Sequence, residues 1–335
     1  MFERTKKEIE RFYHEGIYKG YITTFIDHEQ LESIVQGEAA IYPEHEKLTK
    51  DHYFDLASLT KVIGTVSVYL RLLEQKRIQL DQKLAEYLPE YQDKTVTIRQ
   101  LLTHTSGINT WIENRDQLSP EALREAYLVQ KSGKMQSKEM KYTDTGFILL
   151  GMALERYFEL PLDKVFQQEL FAPLKINEIR YGPISQPQAV ATEKIGTTVL
   201  KGEIHDPKAR ILGQAGHAGL FATNAALIKF VREYLAPVPT VYQARTLDAL
   251  AQDHTAHQLN RSLGWELKTI GTRSVLFHTG YTGTFILIDR VKQRGWIFLS
   301  NRVHPDDHRE AYIAKRDRLI QLYLEESEKE DQKQM

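Results

Sequence analysis

Cysteine is absent from the 335-residue sequence. Disulfide bonds, zinc sites built on thiolates and a cysteine nucleophile are therefore excluded. Neither sign of charge is in excess, because 44 lysines and arginines stand against 45 aspartates and glutamates. A protein without a basic surplus has no general attraction for nucleic acid or anionic lipid. We therefore expect a small-molecule or short-peptide substrate, no nucleic-acid or membrane partner and no cofactor; the composition indicates no oligomeric state.

Long apolar runs are also missing. No window approaches the roughly 18 uninterrupted apolar residues of a transmembrane helix. The opening segment MFERTKKEIERFYHEG is predicted to form an amphipathic helix and not a signal peptide, because charged residues interrupt every apolar run. The expected location is therefore the cytoplasm.

Strand-like runs gather at the two ends of the chain. GYITTFIDHEQLESIVQGEAAIY predicts an antiparallel hairpin near the start, and RSVLFHTG with GTFILIDRVKQRGWIFLSNRV predicts three strands near the end. A final amphipathic helix is expected from about Asp306, followed by a frayed or disordered tail, EESEKEDQKQM. Helical patterns fill the middle, in SLTKVIGTVSVYLRLLEQ, TIRQLLTH, SPEALREAYLVQ, TGFILLGMALERYF and NAALIKFVREYL.

This arrangement predicts an α+β fold in one domain, residues 1–335, with a sheet that is discontinuous in sequence. The sheet lobe is expected from about 1–57 and 262–335, and the helical lobe from about 58–261. A cleft between the two lobes is the expected site.

A serine and a lysine stand three residues apart in YFDLASLTKVIGTVSVYL, residues 53–70. Ser58 precedes a predicted buried helix, whose free N–H groups and dipole favour an oxyanion. Lys61 lies on nearly the same face and can take the serine proton only if desolvation or a second cation lowers its pKa. Serine is also a favoured helix N-cap, and for this motif alone that structural role is the stronger interpretation. The buried stripe consists of Leu59, Val62, Ile63, Val66, Leu70 and Leu73.

A second motif, KYTDTGFILLG, places Tyr142 and Asp144 just before an apolar helix. Asp144 is a natural N-cap for that helix, with Tyr142 as its packing neighbour. Alternatively, Tyr142 carries a proton beside Ser58. The two interpretations are compatible, since a cap would hold the loop rigidly.

A third motif, VLFHTGYTGTFILID, delivers His278, Thr279 and Gly280 at the end of a predicted strand. His278 and Thr279 can hydrogen-bond a substrate carboxylate or carbonyl, and Gly280 would let a substrate backbone lie against the strand. The N–H of Tyr281 can complete an oxyanion hole with the N–H of Ser58. The alternative is a glycine-rich hairpin with a chance histidine.

Taken in order, these S-x-x-K, Y-x-D and H-T-G motifs resemble those of penicillin-recognising serine hydrolases, in particular the branch of class C β-lactamases, D,D-peptidases and family VIII esterases. The resemblance extends from about residue 20 to 305. Further similar segments are LLTHTSGI at 101–108, GHAGLFATNAALIKF at 216–230, LGWEL at 263–267 and FLSNRVHP at 298–305.

The resemblance implies that Ser58 is the acylated nucleophile and that Lys61 and Tyr142 share proton transfer. Asp144 stands where this branch usually has an Asn or Ser that orients substrate and lysine, and the H-T-G segment would line the substrate strand. The implied fold is an antiparallel sheet flanked by terminal helices and packed on an all-helical lobe.

Two departures from the family pattern bear on the substrate. His278 replaces a lysine, so a permanent positive charge gives way to one expected to titrate near pH 6.5, and efficient β-lactam hydrolysis is not expected. Asp144 adds a negative charge near Lys61, which should raise the lysine pKa and shift the base role towards Tyr142.

Other histidines carry weaker signals. His217, in GQAGHAGLF, fits a tight structural turn better than a catalytic role. His304 and His308, in HPDDH, are four residues apart, but Pro305 and the two aspartates are typical of a helix start. No third metal ligand is evident beside them. We therefore expect no metal site.

The sequence thus predicts a serine hydrolase that acts through an acyl-enzyme on an ester or an amide such as a D-amino-acid peptide, with weak or no β-lactamase activity. The alternative is a catalytically attenuated protein that binds penicillin or cell-wall peptides and serves as a sensor or scaffold.

Overall fold

A seven-stranded antiparallel sheet forms the centre of the computed structural model, which describes residues 1–333. The strand order is β3-β2-β1-β12-β11-β10-β9, so segments from both ends of the chain pair side by side, as the sequence predicts. The strands are β1 Gly20–Asp27, β2 Gln30–Ala40, β3 Glu46–Lys47, β4 Phe54–Asp55, β5 Ile179–Tyr181, β6 Ala191–Ile195, β7 Thr198–Lys201, β8 Leu220–Ala222, β9 Glu266–Ile270, β10 Arg273–Gly280, β11 Thr284–Asp289 and β12 Arg294–Ser300.

Helices cover both faces of this sheet. The five helices that the sequence predicts in the middle of the chain are all present. No helix within residues 1–333 has the length and the apolar character that crossing a membrane requires. The α-helices are α1 Glu3–His14, α2 Ser67–Glu74, α3 Leu84–Tyr87, α4 Ile98–Leu102, α5 Pro120–Leu128, α6 Thr145–Phe158, α7 Leu162–Phe166, α8 Pro207–Leu212, α9 Asn224–Leu235, α10 Ala244–Ala249 and α11 Arg309–Lys333, with π-helical segments at Lys61–Val66 and Gln167–Phe171 and 3-10 turns at Arg115–Gln117 and Gln186–Gln188.

Alternate residues of each central strand enter two different cores. In β11, Phe285 and Leu287 pack with the terminal helices α1 and α11. Ile286 and Ile288 point the other way and join the larger core formed with the middle helices. A strand that is buried on both faces needs apolar residues at every position, which explains the unbroken run FILI.

The middle of the chain also contains two small antiparallel sheets, β4-β8-β5 and β6-β7, in addition to its helices. Their strands are two to five residues long. Such short strands carry too few alternations to be recognised from apolar periodicity. The β4-β8-β5 sheet matters for function because β4 leads directly to Ser58.

The C-terminal tail is helical, so the prediction of a frayed tail from Glu325 was wrong up to residue 333. Helix α11 begins at Arg309, three residues after the expected start, and continues to Lys333. Asp331 fastens its end to the sheet, with Oδ2 2.7 Å from Arg273 and Oδ1 2.8 Å from Arg294. The last two residues of the predicted tail lie outside the described residues.

Candidate active site

Ser58 lies in a tight turn between β4 and the π-helical segment that leads into α2. The preceding residue, Ala57, has a positive φ of 45°, a conformation that costs energy for a residue with a side chain. Asp55 holds the turn in place, because its carboxylate accepts hydrogen bonds from the N–H of Ala57 and the N–H of His205, both at 2.7 Å. The backbone around the serine is therefore fixed by the protein and not by a substrate.

The H-T-G strand is attached to this same turn. Thr282 Oγ1 donates to the carbonyl of Asp55 at 2.6 Å, and Thr284 Oγ1 donates to the carbonyl of Leu56 at 3.3 Å. A Cβ at Gly280 would lie 2.4 Å from the Leu56 oxygen, so only glycine fits. The missing side chain at Gly280 thus allows the end of β10 to pack against the backbone of Leu56. Contact between Gly280 and a substrate stays a prediction.

Lys61 binds Ser58 directly. Its side chain is fully buried, and Nζ donates to Ser58 Oγ at 2.8 Å, to Asp144 Oδ1 at 2.7 Å and to the carbonyl of His217 at 3.2 Å. An ammonium group has three N–H bonds, so all of its donors are used. Among residues 1–333 the Ser58 hydroxyl makes no hydrogen bond to the backbone of the following helix, which argues against a capping role.

The charge on Lys61 follows from its neighbours. Burial alone would lower the pKa of Lys61, but the negative charge of Asp144, together with Tyr142, outweighs burial and raises it. This is the direction that the sequence predicts from aspartate at position 144. At neutral pH Lys61 is therefore an ammonium that positions the Ser58 hydroxyl, and in this state it cannot accept the serine proton.

Asp144 carries a second ion pair, which sequence reasoning missed. Lys208 Nζ lies 3.2 Å from Asp144 Oδ2 and 2.7 Å from Asp206 Oδ2, and Asp206 Oδ1 lies 3.0 Å from His217 Nε2. Burial would raise the pKa of Asp144, but the surrounding positive charges, Lys61 foremost and Lys208 among them, hold it well below its usual range. Asp144 occupies the N-cap position of α6 as predicted, yet its side chain makes no capping hydrogen bond and turns to the two lysines instead.

Asp144, Asp206 and His217 place three possible metal-ligand atoms within 4.8 Å of one another. The ammonium of Lys208 already contacts both carboxylates and supplies the positive charge there. The turn at His217 is tightly packed, since a Cβ at Gly216 would lie 2.3 Å from a backbone oxygen of α6. His217 therefore acts here through its carbonyl on Lys61 and its ring on Asp206.

Tyr142 lies at the mouth of the site with 43% of its surface exposed. Its ring centre is 4.4 Å from that of His104 and 5.1 Å from Lys61 Nζ. The ring of His278 lies 6.1 Å away on another side. The structure thus brings together the side chains of the three sequence motifs at one place, with Tyr142 between the lysine and the H-T-G strand.

His278 is neutral, contrary to the expectation that it titrates near pH 6.5. Burial, followed by the positive charges of Lys61 and Arg261, lowers the pKa of His278 well below its usual value. The side chain is 4% exposed, and neither ring nitrogen has a hydrogen-bond partner within the described residues. A neutral imidazole can still donate one hydrogen bond and accept another.

A cleft of about 220 Å³ opens beside Ser58. Two backbone N–H groups at its edge, those of Ser58 and Tyr281, donate to no other group of residues 1–333, as an oxyanion hole requires. Four arginines and a single glutamate supply the formal charges of the lining. The residues lining the cleft are Ser58, Tyr142, Arg261, Glu266, Phe277, His278, Thr279, Gly280, Tyr281, Arg302, Arg309, Tyr312, Ile313 and Arg316.

His304 has a structural role. Its Nδ1 lies 2.8 Å from the carbonyl oxygen of Thr192, and the N–H of Ile41 donates to Nε2 at 2.9 Å. Both ring nitrogens are thereby engaged by the backbone, and burial lowers the pKa of His304. The ring joins the residue after β2 to β6, which is incompatible with a metal ligand pair formed with His308.

Comparison with known proteins shows the family of this chain. The family model described as Beta-lactamase matches residues 34–320. The N-acetylmuramyl-L-alanine amidase of Bacillus subtilis (strain 168) is 27% identical over 312 aligned residues, which cover 75% of this chain and 68% of that protein.

Two solved structures share the fold at low sequence identity. EstCE1, described as a hydrolase with promiscuous acyltransferase activity, has a TM-score of 0.78 at 17% identity, covering 95% of this chain and 97% of that one. The β-lactamase/D-alanine carboxypeptidase from Pseudomonas syringae has a TM-score of 0.75 at 18% identity, with the same coverage of 95% and 97%. Because the family model covers most of its length, this chain belongs to the β-lactamase family and is a serine hydrolase of the β-lactamase-related type.

Proposed function

We propose that the protein hydrolyses an ester or an amide, such as a D-amino-acid peptide, through an acyl-enzyme on Ser58. The observation that carries this proposal is the hydrogen bond between Ser58 Oγ and the buried ammonium of Lys61, which Asp144 holds from the other side. This pair fixes the serine oxygen at the floor of a cleft that is open to a substrate.

In the proposed first step, Ser58 Oγ attacks the substrate carbonyl carbon and its proton passes to the phenolate oxygen of Tyr142. The ammonium of Lys61, 5.1 Å from the centre of the tyrosine ring, would stabilise the negative charge that this transfer requires. The N–H groups of Ser58 and Tyr281 would bind the oxyanion. Tyr142 then returns the proton to the leaving alcohol or amine as its bond to the carbonyl carbon breaks.

In the second step a water molecule loses a proton to Tyr142 and attacks the acyl carbon. The carboxylic acid leaves, and the proton returns to Ser58 Oγ. The same tyrosine therefore serves as base and acid in both halves of the cycle. Lys61 remains charged throughout, in agreement with its raised pKa.

The choice of an amide or ester over a β-lactam rests on position 278. A neutral, buried histidine stands where the resemblance implies a lysine, so weak or no β-lactamase activity is proposed. The names of an amidase and of a β-lactamase/D-alanine carboxypeptidase among similar proteins support hydrolysis of an amide, and the name of EstCE1 supports hydrolysis more generally.

A second candidate is an attenuated protein that is acylated by penicillin or a cell-wall peptide and releases the product slowly. The raised pKa of Lys61 favours this candidate, since an ammonium that keeps its proton is a poor base for deacylation. Tyr142, exposed beside the serine turn, favours turnover. The two candidates differ in the lifetime of the acyl-enzyme.

The test is intact-mass spectrometry after incubation with a fluorescent penicillin and, separately, with a p-nitrophenyl ester. We expect an adduct or nitrophenol release that Ser58→Ala and Lys61→Ala both abolish. A short-lived adduct supports the hydrolase, and an adduct that persists for hours supports the binding protein. Reactivity retained in Ser58→Ala would overturn the assignment of the nucleophile.

A further inference from the structure

His104 forms hydrogen bonds with both residues that flank Tyr142. The N–H of Lys141 donates to the carbonyl of His104 at 2.9 Å, and the N–H of Thr143 donates to His104 Nδ1 at 3.4 Å. Residues 140–143 belong to no helix or strand, and within residues 1–333 their backbone N–H groups donate to no other acceptor. His104 therefore anchors this loop on both sides of the tyrosine.

The ring of His104 packs against the ring of Tyr142. The two ring centres are 4.4 Å apart, and the other face of this contact is the ring of Phe147 in α6, whose centre is 5.1 Å from that of His104. Tyr142 is exposed, whereas His104 is 3% exposed. An exposed side chain on a loop ordinarily samples several rotamers. A buried ring fixed behind it restricts this freedom.

The conformation and the charge state of His104 suit this contact. The residue follows α4 with a positive φ of 57°, which costs energy for a residue with a side chain. Burial, followed by the positive charges of Arg261 and Lys61, lowers the pKa of His104 well below its usual value. The ring is therefore neutral, and Nδ1 keeps the lone pair that accepts from Thr143.

His104 has no access to a substrate. Its Nε2 is buried and has no hydrogen-bond partner within the described residues. The polar contact of its side chain is thus the one with the loop that carries Tyr142. A strained, buried and neutral residue whose contacts converge on one exposed tyrosine acts through that tyrosine.

We propose that His104 is a positioning residue for the reaction, which holds the phenol oxygen of Tyr142 in place for proton transfer with Ser58. His104 itself touches no reacting atom and lies outside the three sequence motifs. Lys61, with Nζ 5.1 Å from the centre of the tyrosine ring, then acts on a tyrosine of fixed position. The inference rests on the proposed function, because it assumes that Tyr142 carries the serine proton.

Hydrolysis of p-nitrophenyl acetate by the full chain tests the proposal. Ser58 Oγ bonds to the acetyl carbon, nitrophenolate leaves, and the serine proton passes to Tyr142. His104→Ala removes both the ring and the Nδ1 acceptor, so kcat should fall by about tenfold to a hundredfold while KM changes less than about threefold. His104→Asn restores an acceptor and tolerates the left-handed backbone, so its kcat should lie between those of His104→Ala and the wild type.

A double-mutant cycle separates positioning from a general structural role. In a Tyr142→Phe background, the residue through which His104 acts no longer carries a proton, so His104→Ala should change kcat less than about twofold. Urea unfolding of each variant establishes that folded proteins are compared. If His104→Ala does not fold, His104→Asn takes its place in the cycle.

His304→Asn is the matched control. His304 is 1% exposed, and its ring nitrogens also contact backbone groups, but these belong to Ile41 and Thr192. This variant should lose stability in urea, while its kcat stays within about twofold of the wild type.

Two outcomes would overturn the inference about His104: a wild-type kcat in both His104 variants, or a loss of kcat by the same factor in the Tyr142→Phe background. Failure of the proposed function is distinguishable from these. It would show as Tyr142→Phe or Ser58→Ala that hydrolyses the ester as fast as the wild type.

Discussion

The Nζ atom of Lys208 lies 3.2 Å from Oδ2 of Asp144, the carboxylate whose other oxygen is 2.7 Å from Lys61. One carboxylate thus joins the buried ammonium of Lys61 and the partly buried ammonium of Lys208. A single aspartate beside Lys61 would hold the lysine proton very firmly. The second cation offsets part of that negative charge, so Asp144 raises the pKa of Lys61 less than it would alone.

Removing Lys208 should therefore change the pH dependence of the reaction. In Lys208→Met the negative charge of Asp144 acts on Lys61 without compensation, so the pKa of Lys61 rises further. The falling limb of kcat/KM, on which Lys61 loses its proton, should therefore move to higher pH by on the order of one unit. Asp144→Asn removes a negative charge, so the limb moves the opposite way. Lys229→Met, whose lysine pairs with Glu178 at 3.8 Å, serves as the control. A limb that stays in place in Lys208→Met would contradict the role assigned to this lysine.

Gly280→Ala tests the attachment of the H-T-G strand to the serine turn. The added Cβ would lie 2.1 Å from Thr284 Oγ1 and 2.4 Å from the carbonyl oxygen of Leu56. We expect a loss of about 1–3 kcal/mol in the free energy of unfolding and a lower kcat, because the backbone before Ser58 must shift. Urea unfolding and steady-state kinetics measure the two effects. Gly133→Ala is the control, with its nearest contact at an ordinary 3.6 Å, and equal stability of the two variants would refute the argument.

His278 should contribute no titration to substrate binding between pH 6 and 8. Its pKa is lowered well below 6.5, so the neutral form predominates through this range and the charged form appears only at lower pH. The ratio of KM for an acidic ester in His278→Gln to that in the wild type should accordingly be constant from pH 6 to 8. A ratio that falls as pH rises would indicate an imidazolium that binds the substrate.

The end of α11 should contribute to stability. Asp331→Ala removes the 2.8 Å partner of Arg294, whose side chain is 1% exposed, and one of the two carboxylates that pair with Arg273. Asp27 at 3.2 Å and Asp289 at 2.6 Å remain as their partners. The loss of hydrogen bonds between charged groups should cost about 1.5–3 kcal/mol, which chemical unfolding will detect. Asp317→Ala, on the same helix but 61% exposed, should cost about 1 kcal/mol or less. Similar losses in both variants would mean that the tail is not fastened in this way.

The sequence predicts those parts of the site that depend on local spacing. Ser58 and Lys61 are three residues apart on one helical turn, so their contact follows from helix geometry. Lys208 reaches Asp144 from α8, and Arg261 lines the cleft from the segment before β9. Neither position could be predicted, because no local sequence pattern indicates contacts between residues so far apart in the chain. His217 lies in a segment that resembles the family, and this resemblance was the available signal for a place in the site. The nearby Gly216 and Gly219 instead favoured a structural turn.

In the fold, too, the elements with a clear local pattern were predicted and those that depend on distant contacts were not. Strands β1, β2, β10, β11 and β12 are long enough for their apolar patterns to be recognised, whereas β9 and the small sheets are not. The tail was misjudged because its composition is that of a disordered segment. Its order comes from arginines of the sheet, Arg273 and Arg294, which the local sequence does not reveal.

The pairing of β1 with β12 has a consequence during protein synthesis. The hairpin β1–β2 leaves the ribosome first, but its inner edge pairs with the last strand of the sheet to be made. Until that strand emerges, β1 presents unpaired backbone N–H and C=O groups along its length, a template for pairing with other chains. The nascent protein therefore spends most of its translation with an open strand edge, and we expect chains truncated before β12 to aggregate more readily than the full chain.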